Sequence, residues 1–211
     1  NRATAKTQSA LLEAMQERSI SVAGVTRSLE PPFFVMATQN PIEMEGTYPL
    51  PEAQIDRFLF KIKVDYPTHQ ELLEILRRTT GERQEKAASV MDREQLLGVQ
   101  SLVRAVPMAE AVMDYCARLV WATHPIQGDG GSSMTSYVRW GASPRGAQAL
   151  VLAAKAHAFM SGRFSASYDD VRHVLLPALR HRVLLNLAGE AANVDVDQML
   201  QAAVETVKVK V

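Results

Sequence analysis

"ATQNPIEMEGTYPLPEAQIDRF", residues 37–58, decides the reading of this chain because it joins two apolar stretches of different character. Before it, "FFVMAT" (33–38) is an unbroken apolar run of the kind found in parallel strands covered on both faces, and it is expected to be a central strand. After it, "FLFKIKVDYP" (58–67) sets Phe58, Phe60, Ile62 and Val64 against Lys61 and Lys63. That alternation suits a strand with one wetter face, expected at a sheet edge. The connection is long enough for a parallel crossover, and "PEAQIDR" (51–57) can supply a short helix within it.

Upstream, Thr4 can cap a helix whose Ala10, Leu11, Ala14 and Met15 recur at helical spacing. "SISVAG" (19–24) then alternates Ile20 and Val22 with serines and turns at Gly24 into Val25, which reads as a β-hairpin. Downstream of Pro67 every segment reads as helix. Thr68 with Glu71 forms a capping box ahead of Leu72, Ile75 and Leu76, and Gly81 is placed to end that helix. Asp92 caps a segment with Leu96, Leu97, Val99 and Val103, and Val112, Cys116, Leu119 and Val120 draw the stripe of the next. Ser143 and Pro144 are N-cap and first turn of a helix that buries Ala147, Leu150, Val151 and Ala154. Ser167 with Asp170 repeats the capping signal before Val171, Val174 and Leu175, with Pro177 expected to kink the helix. A last helix begins near Asp197, "QGDGGSSMTS" (127–136) is a loop, and "VKVKV" (207–211) fits a strand or a frayed end. The domains are read as 1–66, α/β, and 67–211, α-helical.

The 211 residues are 47% apolar and 22% charged, enough for a substantial core. Lys plus Arg equal Asp plus Glu at 23 each, so bulk charge gives no reason to expect nucleic acid or an acidic membrane as partner. The single cysteine, Cys116, excludes an internal disulfide framework, and it lies on an apolar helical stripe. No apolar run of about 18 residues occurs, so a membrane span is not expected and a cytoplasmic location is the default. His69, His124, His157, His173 and His181 form no i, i+4 pair; His173 and His181, eight apart, can share a helix face, but no further ligand completes a metal set. Trp121 and Trp140 are expected to pack among the helices. A central strand needs partners on both edges, and one further strand with a hairpin does not supply them. The chain is therefore expected to be the later part of a larger one, or to borrow strands from another molecule.

Three ordered blocks, "NRATAKTQSALLEAMQERSISVAG", "PFFVMATQNPIEMEGTYPLPEAQIDRF" and "GASPRGAQAL", resemble the MoxR-like branch of the AAA+ ATPases over nearly the whole chain. The fold implied is a partial P-loop AAA+ α/β core, a parallel sheet fragment with a β-hairpin, followed by an all-α lid domain. In that family the Asn of "ATQNP" is sensor 1, so Asn40 would help orient the attacking water; an amide can donate and accept without titrating. The Arg of "DRF" resembles the arginine finger, which places Arg57 against the nucleotide of a neighbouring subunit, where a fixed guanidinium stabilises charge on the transferring phosphoryl group. The Arg of "GASPR" resembles sensor 2, so Arg145 would contact bound nucleotide from the lid. Near a helix start an anion would meet both this Arg and free backbone amides. Plainer roles stand beside these: a strand-ending turn at Asn40-Pro41, a surface ion pair at Arg57, a structural Arg145.

The resemblance implies ATP and Mg²⁺ as cofactors, a homo-oligomeric ring, typically a hexamer, and ATP hydrolysis coupled to remodelling or maturation of a protein partner. That partner is often a von Willebrand factor A domain protein. The hairpin from Ser19 to Leu29 matches the family's pre-sensor 1 hairpin. No GxxxxGK[ST] occurs in these residues, and the family's phosphate loop and Mg²⁺-binding Asp-Glu would fall before Asn1. The chain alone is thus expected to be inactive. Alternatives are a magnesium-chelatase-like or helicase-like motor using the same sensors, or a non-catalytic interaction module.

Overall fold

A computed structural model of the chain describes residues 4–40, 50–81, 87–125 and 135–209. Helix α1 (Ala5–Glu17) starts where expected, with the Thr4 side chain accepting from the Thr7 amide, and it stops at Arg18, whose φ of 50° turns the chain out of the helix. Strands β1 (Ser19–Val22) and β2 (Val25–Ser28) then pair antiparallel with Val22 opposite Val25. The two turn residues, Ala23 and Gly24, have φ of 52° and 78°. Positive φ at both positions is the tight hairpin geometry that matches strand twist, and the glycine occupies it without strain. The hairpin leans on α1, where Ser21 Oγ donates to Glu13 at 2.9 Å.

The two strands expected on either side of the opening stretch do not form. Residues 33–38 and 58–66 lie in no strand of the described residues, and Phe34 and Val64 are 81% and 91% exposed. A strand exists through its ladder, and no described segment pairs with either run, so their apolar sequence finds no sheet to complete. The short helix expected between them does form, as α2 (Glu52–Ile55). The 58–66 run instead follows the helical part of the molecule, with the Lys61 amide donating to the Pro177 carbonyl at 2.9 Å.

Helices α3 (His69–Thr80) and α4 (Arg93–Ala105) carry the capping boxes at Thr68/Glu71 and Asp92/Gln95, yet neither buries a residue fully. The linker residues 82–86 lie outside the described residues, as does most of the 127–136 loop. The core is built by α5 (Glu110–Trp121), α6 (Pro144–Met160) and α7 (Tyr168–Leu179), through Tyr115, Cys116, Leu119, Leu150, Ala154, Val171 and Leu179. Small residues on α6 let α7 approach closely. Burial pushes the Cys116 thiol up to about 12, which makes it a core group and not a nucleophile. Between α5 and α6 runs β3 (Val138–Trp140), which pairs with β4 (Leu184–Leu185); this ribbon, and α8 (Leu187–Ala191), were not expected. Gly189 permits it, since a Cβ there would sit 2.8 Å from the Tyr137 carbonyl oxygen. Helix α9 (Val196–Thr206) closes the core with Met199 and Leu200. The expected packing of Trp121 and Trp140 is overturned, since both are exposed at the rim. Pro177 falls in the last turn of α7, so His181 lies beyond the helix and shares no face with His173, which stacks on His157 at 4.1 Å. Among the described residues no helix is long and apolar enough to cross a membrane.

The N-terminus of α7 is fixed by a buried carboxylate. Asp170 is fully buried and receives Arg163 Nη1 at 2.6 Å, His157 Nδ1 at 2.6 Å and the Ser167 amide at 2.8 Å. The Arg163 guanidinium, with the His157 and Ser167 bonds, holds its carboxyl well below the usual range against the opposing cost of burial. Asp170→Ala is expected to destabilise the chain by about 3 kcal/mol, near the low end for breaking a buried pair because Arg163 reaches solvent. Urea unfolding at neutral pH checks this. The contribution is complete above the ordinary carboxylate pKa of about 4 and is lost as pH falls through and below it, so the variant should also lose part of the acid dependence of stability.

Candidate functional site

Two of the predicted site residues, Arg57 and Arg145, lie next to or against Asp56, which is anchored by a group that sequence reasoning did not single out, Arg182. Its side chain is 2% exposed and lies just past α7. It donates from Nε to Asp56 Oδ1 at 3.1 Å, from Nη2 to the carbonyls of Asp56 at 2.9 Å and Phe58 at 2.6 Å, and from Nη1 to Leu59 at 3.1 Å. A further bond runs to the Ala178 carbonyl within its own helix end. A guanidinium presents a rigid fork of five donors, and here that fork is filled by the 56–59 backbone, the Ala178 carbonyl and one carboxylate. The available signal was the basic triplet Arg180-His181-Arg182 at a helix C-terminus, where the dipole favours cations.

Asp56 is the carboxylate of that cluster, at 17% exposure. Both of its oxygens lie 2.9 Å from Ser143 Oγ, and Oδ2 lies 3.3 Å from Arg145 Nη1. Ser143 is the N-cap of α6 and accepts the Arg145 amide on the same hydroxyl, while the Gly146 amide donates to the Ser143 carbonyl. The first-turn amides expected to be free for an anion are thus already engaged at residues 145 and 146. What Arg145 offers an anion is its guanidinium, which is 53% exposed and makes one long contact.

Arg57 follows Asp56 directly. It is half-buried, donates from Nη1 to Gln16 of α1, and its Nε has no partner among the described residues. Asn40 is exposed, immediately before the undescribed residues 41–49. The structure therefore brings Arg145 and the segment bearing Arg57 together, 89 residues apart in sequence, through Asp56. An exposed guanidinium such as that of Arg145 has the geometry to pair with a phosphate. Asp56 is unsuited to a metal, because both oxygens are spent on Ser143, Arg145 and Arg182. The cleft lined by His157, Arg163, Phe164, Ser167, Asp170 and His173 is a separate feature, in which the Asp170 charge is already matched by Arg163.

Neighbouring contacts extend the same seam. His181 Nε2 donates to the Phe58 carbonyl at 2.9 Å, and Asp197 of α9 takes Arg180 at 3.0 Å and Lys63 at 2.6 Å.

Comparison with known proteins gives this arrangement its class. The family model described as ATPase family associated with various cellular activities (AAA) matches residues 1–60, and the AAA lid domain model matches residues 133–203. The chain is 42% identical over 207 residues to Chaperone MoxR1 of Mycobacterium tuberculosis, covering 98% of this chain and 55% of that protein. It is 36% identical over 201 residues to Protein MoxR of Paracoccus denitrificans, covering 90% and 59%. A crystal structure of a candidate ATPase from Cytophaga hutchinsonii superposes with a TM-score of 0.94 at 37% identity, over 100% of this chain and 64% of that one. The chain belongs to the MoxR-like branch of the AAA+ ATPases, and it spans about 55% to 64% of the length of these relatives.

Burial, with smaller contributions from Arg182 and Lys61, pulls the His181 imidazole down to about 4 against the favourable bond to Phe58. The geometry agrees, because Nε2 carries the donated proton and Nδ1 is buried with no partner among the described residues to receive a second one. Since the folded value lies below the ordinary 6.5, the docking stability is complete above about pH 6.5 and is lost as pH falls toward 4. Limited proteolysis in residues 56–66 is therefore expected to accelerate between pH 6.5 and 4, and His181→Gln should weaken that dependence.

Proposed function

We propose that this chain is the sensor and lid portion of an ATPase that couples hydrolysis of Mg-ATP to chaperone-like remodelling of a protein partner. The observation that carries the reading is the attachment of Asp56, and with it Arg57, to the helix start bearing Arg145. The bound cofactor supplies the phosphoryl group and the charge that the arginines recognise. Arg145 contacts the phosphates from the lid, and its exposed guanidinium is the group fitted to do so. Asn40 orients the attacking water with an amide that does not titrate. Arg57 stabilises the charge on the phosphoryl group in the neighbouring subunit's site, as a guanidinium of fixed geometry can.

An arginine that serves a neighbour in this way implies a head-to-tail interface, which closes into a ring or runs on as a filament, and the family resemblance favours the ring. A hexamer, a cytoplasmic location, a von Willebrand factor A domain partner and a boundary near residue 66 between nucleotide-binding and lid domains complete the reading. The chaperone-like part of the reading is supported by the name carried by the Mycobacterium relative, and the lid by the lid-domain match over residues 133–203. The apolar run at 33–38, with Phe34 and Met36 exposed here, would take its place in the parallel sheet that this reading implies.

The test is Mg²⁺-dependent ATP turnover by the full-length gene product, mixed with increasing amounts of its Arg57→Ala variant. The pure variant is expected to be slower by about 10³-fold, the lower range for an arginine finger. In mixtures the rate should fall more steeply than the fraction of inactive subunits. A fall proportional to dilution, or full activity of the variant, would remove Arg57 from this role.

A further inference from the structure

Asp56 holds two arginines unequally. Arg182 is buried and anchored by backbone carbonyls on every side, whereas Arg145 is half-exposed and reaches Asp56 through one contact of 3.3 Å. We propose that Asp56 is a positioning residue for the nucleotide site, a latch that holds the Arg145 guanidinium when no nucleotide is bound and gives it up to a phosphate. This rests on the ATPase reading above.

Three features make the exchange easy in that direction. When Arg145 leaves, the carboxylate keeps the Ser143 hydroxyl and Arg182, so no buried charge is orphaned. The two like-charged guanidinium groups flank a single carboxylate, and the repulsion between them is relieved when the more exposed one departs; Arg145 indeed contributes to pulling Arg182 below its ordinary value, behind the larger effect of burial. The competing ligand carries more negative charge than one carboxylate and can accept a bidentate arginine. A helix cap, an arginine two residues later and a carboxylate on the facing segment thus form a preset trap whose open position is the nucleotide-bound one.

The measurement is the affinity of the full-length gene product for a fluorescent ADP analogue, in four forms: wild type, Asp56→Asn, Arg145→Ala and the double variant. Asp56→Asn frees Arg145 and should tighten binding by about two- to fivefold, the range of an exposed ion pair. In the Arg145→Ala background the same substitution should change nothing, and Asp56→Glu, which keeps the charge, should bind like the wild type. Tightening of equal size in both backgrounds would reveal only a general charge effect and overturn the latch. Weakening in the Arg145 background would overturn it as well. If Asp56→Asn does not fold, Asp56→Asn with Arg182→Gln removes the orphaned charge and carries the same comparison. A wild-type protein that binds no nucleotide would sink the ATPase reading itself. A wild-type protein that binds, with no Arg145-dependent response to Asp56→Asn, leaves that reading standing and removes the latch alone.

Discussion

A buried guanidinium does not shed its proton, so the fold must bring oxygen atoms to it. Arg182 imposes that demand on this molecule, and the chain answers with the backbone of residues 56–59 and the side chain of Asp56. The consequence is positional. A segment with no ladder partner acquires a fixed path because its carbonyls are the acceptors one arginine requires. His181, the Pro177 carbonyl and the Lys63–Asp197–Arg180 bridge continue the seam on either side. Arg57 inherits its position from this docking, since its neighbours in sequence are the anchored residues.

Helix α7 is consequently held at both ends by charge. At its start Asp170 gathers Arg163, His157 and Ser167, and just past its end Arg182 gathers the connecting segment. Each cluster suits the helix end it occupies, with the anion at the N-terminus and the cations beyond the C-terminus. Between them α7 packs along α6, whose first turn carries Arg145. A shift of the lid that moved α6 would therefore act on the 56–59 segment through two routes, the packed helix and the Asp56 carboxylate.

What the sequence disclosed follows from the range of each interaction. The caps at Thr4, Thr68, Asp92, Ser143 and Ser167 were legible because a cap is complete within four residues, and each stands where it was read. The hairpin was legible because its turn chemistry is local. The runs at 33–38 and 58–66 form no strand here because alternation or continuity shows only that a segment can be a strand, and pairing is decided elsewhere. The β3–β4 ribbon was missed because two or three residues are too few to show a period. Trp121 and Trp140 misled through size alone, since bulk does not place a side chain inside. Arg145 was legible as a residue of the first turn of α6, where it lies, but its bond to Asp56 and the one from Arg182 span 89 and 126 residues. No local pattern encodes such a contact.

The balance of charge at this seam has a consequence of its own. Arg57, Arg145 and Arg182 converge on or beside one carboxylate, so among the described residues the cluster carries more positive than negative charge although the whole chain is neutral by count. Arg182 is neutralised in place by Asp56, and its remaining donors are saturated by carbonyls. The uncompensated charge therefore resides on the other two. Exposure divides them further: Arg145 reaches solvent, where its charge is tolerated and available, whereas Arg57 is half-buried, with Gln16 as a neutral acceptor and Nε unsatisfied among the described residues. A neutral acceptor does not cancel a charge, and an unsatisfied buried donor is costly, so Arg57 is the member of the cluster that gains most from meeting an anion. Arg145, whose guanidinium reaches solvent, and Arg57, carried on the docked segment, are thus the two groups of this seam with charge left to pair among the described residues.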